Sequence, residues 1–240
     1  MSTGSFVDTR FFAYSRHGLH GGACKPLPLF ANSKILKERS SYFETLLSTT
    51  SGFSESLQDA LIDYSDLSES PDSADFEKLE VPQTKDLQAA PLGRTVVVKD
   101  VAYKTLKALV MYLYTGKITF APLRSSQTSA SNVQCEIQCS PKSMYRLADK
   151  LGIDEIKALA LEAIRASISE DNILEESFSK FTSTYSEVQK MEVEILKRKC
   201  RTPLVIAGMD ELIRGAVKEG ELPHSDGVFT ELFKYLAEEK

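Results

Sequence analysis

VVVKDVAYKTLKALVMYLYTG, Val96 to Gly116, is the stretch on which the reading of this chain turns. Three β-branched residues in succession, Val96 to Val98, predict a short buried strand. Lys99 and Asp100 interrupt the apolar run and predict a tight corner. Beyond it, Leu106, Leu109, Val110 and Leu113 recur at i, i+3, i+4 and i+7, one stripe of an amphipathic helix facing a core. Gly116 is placed to end that helix, because glycine enters the left-handed region without steric cost. Ile118 and Phe120 then resume an extended pattern. The unit reads as strand, corner, helix and glycine stop. It contains packing groups and nothing reactive.

Working outward, Phe6 to Ser15 reads as an aromatic-rich strand, Arg16 to Ala23 as a glycine-bearing turn, and Leu27 to Ala31 as the returning strand of a hairpin. Asn32 or Ser33 can cap a helix carrying Ile35 and Leu36. Ser40 or Ser41 can cap a second, whose buried face is Tyr42, Phe43, Leu46 and Leu47. On the far side of the central unit, Ser140-Pro141 is a helix start, with serine as N-cap and proline at the first helical position. Tyr145, Leu147, Ala148 and Leu151 form that helix's inner face and Gly152 its stop. Asp154 can cap the next helix, with Ile156, Leu159, Ala160, Ala163 and Ile164 inside. From Ser169 the chain reads as helical to residue 240: one helix marked by Phe178, Phe181 and Tyr185, one by Val188, Met191 and Ile195, one over Leu204 to Val217, and one carrying Phe229, Leu232, Phe233 and Leu236.

Two segments break the pattern. Residues 58–94 are acidic, hold three prolines and start with few large apolar side chains, and read as a flexible insertion. Residues 124–139, which include SSQTSASN, read as a second. The fold class is therefore α+β, residues 1–168, followed by a helical extension, residues 169–240.

Composition narrows the function. The 240 residues are 42% apolar and 26% charged, ordinary for globular protein, and carry a formal net charge of −5. That charge leaves no electrostatic footprint for nucleic acid. No apolar run approaches the ~20 residues of a membrane-spanning helix, so no membrane partner is expected. The first residues lack the apolar centre of a signal peptide, and four cysteines without framework spacing suit a reducing compartment, so a cytoplasmic or nuclear location is expected.

Chemistry-bearing motifs are scarce. His17, His20 and Cys24 cluster in RHGLHGGAC, but a closed zinc site needs four ligands, and Cys135 and Cys139 lie in a distant insertion. A glycine-shaped hairpin turn explains the cluster, and no metal or other cofactor is expected. Nucleophile elbows, HExxH zinc motifs and glycine-rich phosphate loops are missing. The acid pairs Glu175–Glu176 and Glu238–Glu239 are adjacent on helices and point apart. No enzyme is expected. KRKCR, Lys197 to Arg201, reads as a helix C-terminus whose cations complement the dipole, with a nuclear-localisation patch as the functional alternative.

Three ordered blocks resemble the BTB/POZ family of protein-interaction domains: PLPLFANSKILKERSSYFETLL (Pro26 to Leu47) with Ile35, Leu36, Arg39, Ser40, Tyr42 and Phe43 in its signature; DV followed by YLYTGKI in the central stretch; and MYRLADKLGIDEIKALALEAI (Met144 to Ile164), similar to the family's closing helical hairpin. SEDNILEESF, Ser169 to Phe178, resembles the start of the helical box that often follows such a domain. The resemblance implies a small sheet flanked by a helical cluster, and work done by noncovalent binding.

It also implies a partner. BTB proteins that recruit a cullin scaffold carry a hydrophobic-x-Glu motif in the loop after the second helix, and Phe53-Ser54-Glu55 is similar. The implied contact set is Tyr42, Phe43, Leu46, Phe53 and Glu55, with an apolar anchor in a pocket and a carboxylate fixing register at the rim. The leading expectation is an adaptor on a cullin-type ubiquitin-ligase scaffold. The alternative is a homo-oligomer or scaffold without a ligase link. Two departures stand out: Ala102 occupies a position where relatives often carry a capping serine, and the extra N-terminal helix through which many relatives dimerise is not expected here.

Overall fold

The computed structural model describes residues 7–17, 23–48, 94–126, 137–219, 224 and 226–238. The chain forms two compact units, Met1–Ala121 with Gln134–Ala158, and Pro122–Val133 with Leu159–Lys240.

Among the described residues, the first unit is built on a mixed three-stranded sheet of order β2-β1-β3. Strand β1 (Thr9–His17) pairs antiparallel with β2 (Ala23–Ala31), Thr9 opposite Ala31 and His17 opposite Ala23. The hairpin is longer than expected, with both strands running closer to the turn. Pro26 and Pro28 are tolerated because β2 is the outer strand, where a missing N–H need cost no ladder bond. Strand β3 (Arg94–Ala102) lies parallel to β1 on its other side. The pairing runs from Thr9–Arg94 to Ala13–Val98 and then jumps to Tyr14–Ala102. Lys99 and Asp100 therefore do not turn a corner. The strand continues through them as a bulge, which absorbs extra residues while keeping direction.

Side chains alternate across this sheet as pleating requires, with Phe11 and Ala13 fully buried between half-exposed Arg10, Phe12 and Tyr14. Helices cover the buried face. Helix α1 (Ser33–Arg39) starts at Asn32, whose Oδ1 accepts from the Lys34 and Ile35 N–H groups. Ser40 alone separates it from α2 (Ser41–Ser48): its N–H donates to the Leu36 carbonyl and its own carbonyl accepts from Glu44. Helix α3 (Tyr103–Thr115) buries Leu106, Leu109, Val110 and Leu113, the stripe read from the sequence, and packs on α1 and the sheet. Ala102 precedes it without a side-chain cap, and Gly116 ends it at φ 70°.

Helix α4 (Pro141–Leu151) begins with the Ser140 hydroxyl accepting from Ser143 N–H and ends at Gly152, φ 65°. Helix α5 (Asp154–Ala166) starts one residue earlier than expected, its first carbonyl acceptor being Ile153.

The second unit is helical: α6 (Ile173–Ser177), α7 (Lys180–Thr184), α8 (Ser186–Lys199), α9 (Pro203–Glu219) and α10 (Asp226–Glu238). Helix α8 is its spine, with α6, α7 and α10 against it and α9 against α6. The single helix expected over Phe178 to Tyr185 is broken. Ser179 takes an extended conformation and caps α7, its hydroxyl accepting from Thr182 N–H.

The second expected insertion is structured at both described ends. Arg124–Ser126 form a 3-10 turn, and Cys139, buried, is bridged to Phe120. Of residues 58–94, only Arg94 lies within the described residues.

Candidate functional site

Helix α2 carries three of the five residues expected to meet a partner. Its serine-rich start and short length make it dependent on packing, and packing decides which way each side chain points. Phe43 is 2% exposed and meets Phe11 of β1 edge to face, ring centres 5.9 Å apart. Leu46 is 9% exposed and lies with Leu47 on the same inner face. These two residues are buried in this structure. Tyr42 is half-buried and stacks edge-on against Phe43 at 5.4 Å. Together with exposed Ser41, Glu44 and Thr45 it forms the helix's outward side. Phe53 and Glu55 lie outside the described residues.

The position of α1 and α2 is set by a polar node that was not foreseen. Asp8, just before β1, accepts from Ser33 N–H at 2.7 Å and from the Ser33 and Thr9 hydroxyls. Its backbone ties the sheet together as well, N–H to Ala31 and carbonyl to Arg94. Burial pulls the Asp8 carboxyl upward, but the hydrogen bonds from Ser33 and Thr9 outweigh it and hold the pKa below its ordinary value. On the other side of the cap, Asn32 N–H donates to the Tyr114 hydroxyl of α3. Phe30, half exposed on the outer strand beside this node, was also missed. Alternation with buried Ala31 was the available signal.

The α4–α5 hairpin is clamped by charge. Lys157 Nζ is 2.7 Å from Asp149 Oδ1 and 5.2 Å from the centre of the Tyr145 ring. Tyr112 of α3 reaches the same hairpin. Burial, a hydrogen bond with Glu155 and that carboxylate's charge push its phenol up to about 12. A shallow groove lies along α3, lined by Ala108, Met111, Thr115, Lys117, Ile118, Thr119 and Ile137. Among the described residues, its lining holds no carboxylate, imidazole or thiol.

In the second unit the conspicuous chemistry is buried polar bonding. Asn172, fully buried, receives Ser169 N–H on its Oδ1 and donates to the Ser167 carbonyl and the Ser125 hydroxyl. Ser125 donates in turn to Glu176. The Thr182 hydroxyl lies 2.9 Å from both the Glu176 carbonyl and the carboxylate of fully buried Glu192, which share its one hydrogen. The links join hydroxyl and amide donors to carboxylate, carbonyl or hydroxyl oxygens, the arrangement of a structural network.

The basic run is engaged locally. Lys197 is held above its ordinary pKa chiefly by its hydrogen bond to Glu194, with Glu231 of α10 adding charge. Arg198 Nε donates to the Glu194 carbonyl, and Lys199 pairs with Glu170 at 3.5 Å. Among the described residues, no group of three or more His, Cys, Asp or Glu is placed to hold a metal ion, and no helix is long and apolar enough to cross a membrane. Compared with protein-family models and with curated proteins, the chain matches none.

Proposed function

We propose that the chain is a noncatalytic protein-interaction module of BTB/POZ type, working as an adaptor on a cullin-type ubiquitin-ligase scaffold in the cytoplasm or nucleus. What supports this reading most is the order of elements along the three blocks that resemble the family. Pro26 to Leu47 runs through strand, helix and second helix. Val96 to Gly116 is strand, helix and left-handed glycine, and Met144 to Ile164 lies in a helical hairpin. In this reading Phe43 and Leu46 act from beneath. They hold α2 against the sheet, and Tyr42, Phe53 and Glu55 are the residues assigned to the partner.

Calorimetric titration of the full chain with a cullin N-terminal region tests the proposal. An apolar anchor at an interface centre contributes ~2 kcal/mol or more, so Phe53→Ala is expected to weaken binding roughly thirtyfold. Glu55→Lys is expected to weaken it as well. Absence of binding by the folded wild type, or binding indifferent to both changes, would refute the adaptor role.

A further inference from the structure

Three exposed apolar side chains of the second unit line up along α9, while exposed Leu204 lies on another side of that helix and Phe233 and Leu236 lie on α10. Ile206, Ile213 and Val217 are 55%, 45% and 79% exposed. At about 100° per residue they project within about 40° of one another. A neighbouring side of the helix faces the unit's interior. Val205 is buried there, and Gly208 lies so close to α6 that an added Cβ would fall 2.8 Å from the end of Leu174. Asp210 interrupts the exposed line midway and pairs with Arg214 of the same helix at 2.9 Å.

A partner seated on this stripe must cover the Asp210–Arg214 pair without leaving either charge alone. A second copy of α9 can do so by exchanging the pair when it is turned end for end. Acids Asp210 and Glu211 precede bases Arg214 and Lys218 along the helix. An antiparallel copy therefore brings Ile206 against Val217 and Asp210 opposite Arg214, twice about one two-fold axis. A parallel copy would set Asp210 against Asp210. We infer that α9 is a self-recognition helix through which two copies of the chain associate antiparallel, the Asp210–Arg214 pairs fixing register. One helix of 17 residues presents a small surface, so the dimer is weak and concentration-dependent.

Sedimentation velocity of the full chain, from about 1 µM to about 1 mM, reads the association. The expected result is a sedimentation coefficient that rises with concentration. Ile213→Glu, D210R and R214D are each expected to weaken association at least about tenfold, since each leaves buried or like charges at the axis. An equimolar mixture of D210R and R214D is expected to recover it, because one variant then presents two cations to the other's two anions. All these sites are exposed, and unchanged far-ultraviolet circular dichroism confirms folding. Phe233→Ser, on the exposed side of α10, is expected to leave association unchanged. A wild type that stays monomeric throughout overturns the inference. So does a mixture that fails to recover association, or a dimer abolished by Phe233→Ser and not by Ile213→Glu.

Discussion

At the scale of single residues, Tyr112 makes a pH-dependent contribution whose sign follows from its environment. Its phenol titrates near ~10 in an unfolded chain and is pushed up to about 12 in the fold by burial and Glu155. The neutral form is the one the fold prefers. Its contribution is therefore complete below pH 10 and is lost as pH rises towards 12. Tyr112→Phe is expected to cost ~1 kcal/mol at neutral pH, the usual net value of one hydrogen bond. Denaturant titrations at a series of pH values should show the gap between the two proteins closing above pH 10. A gap that stays constant to pH 12 would count against the Glu155 bond. Asp8 makes a different point at this scale. Its partner Ser33 lies 25 residues away, so no local pattern around Asp8 marks it as the residue that seats α1.

Elements were legible where their ends are chemically local. Asn32 and Ser140 cap helices, Pro141 opens one, and Gly116 and Gly152 close two in the left-handed region, all within a turn of the residues they serve. Gly116→Ala should then lower stability by ~1–2 kcal/mol, the cost of a Cβ in that region. Each ~1 kcal/mol corresponds to about 2–4 °C in Tm for a chain of this size, and calorimetric melting measures it. Element ends controlled from a distance were misread. Lys99 and Asp100 looked like a corner, but β1 holds β3 in line beyond them by shifting register. Phe178, Phe181 and Tyr185 have helical spacing, yet Phe178 packs on Phe229 of α10, and Ser179 restarts the helix. The direction of α2 was half legible. Phe43 and Leu46 were read both as core and as partner contacts, and only the packing of Phe43 on Phe11 separates those roles.

At the scale of the whole molecule, the second unit draws in residues that lie far from it in sequence. Pro122–Val133 belongs with Leu159–Lys240, and Ser125 bonds both Asn172 and Glu176 there. A fragment starting at Ser169 would lack Ser125 and Ser167 and leave those buried groups short of partners. Each such loss costs ~1–3 kcal/mol, against the roughly 3–5 kcal/mol that a core of this size supplies. The fragment is expected to melt without a cooperative transition, while the full chain retains one. Sharp two-state melting of the fragment would show that the Ser125 links contribute little. The outer strand carries a consequence for every encounter with another chain. Alternate residues of a strand direct their N–H groups to the same side, so Pro26 and Pro28 both remove donors from the flank of β2 that faces away from β1. A guest peptide arriving as an extra strand would find carbonyls there with too few hydrogens to complete a ladder. Along that flank the molecule refuses to lengthen its sheet, and recognition falls to its helices and loops.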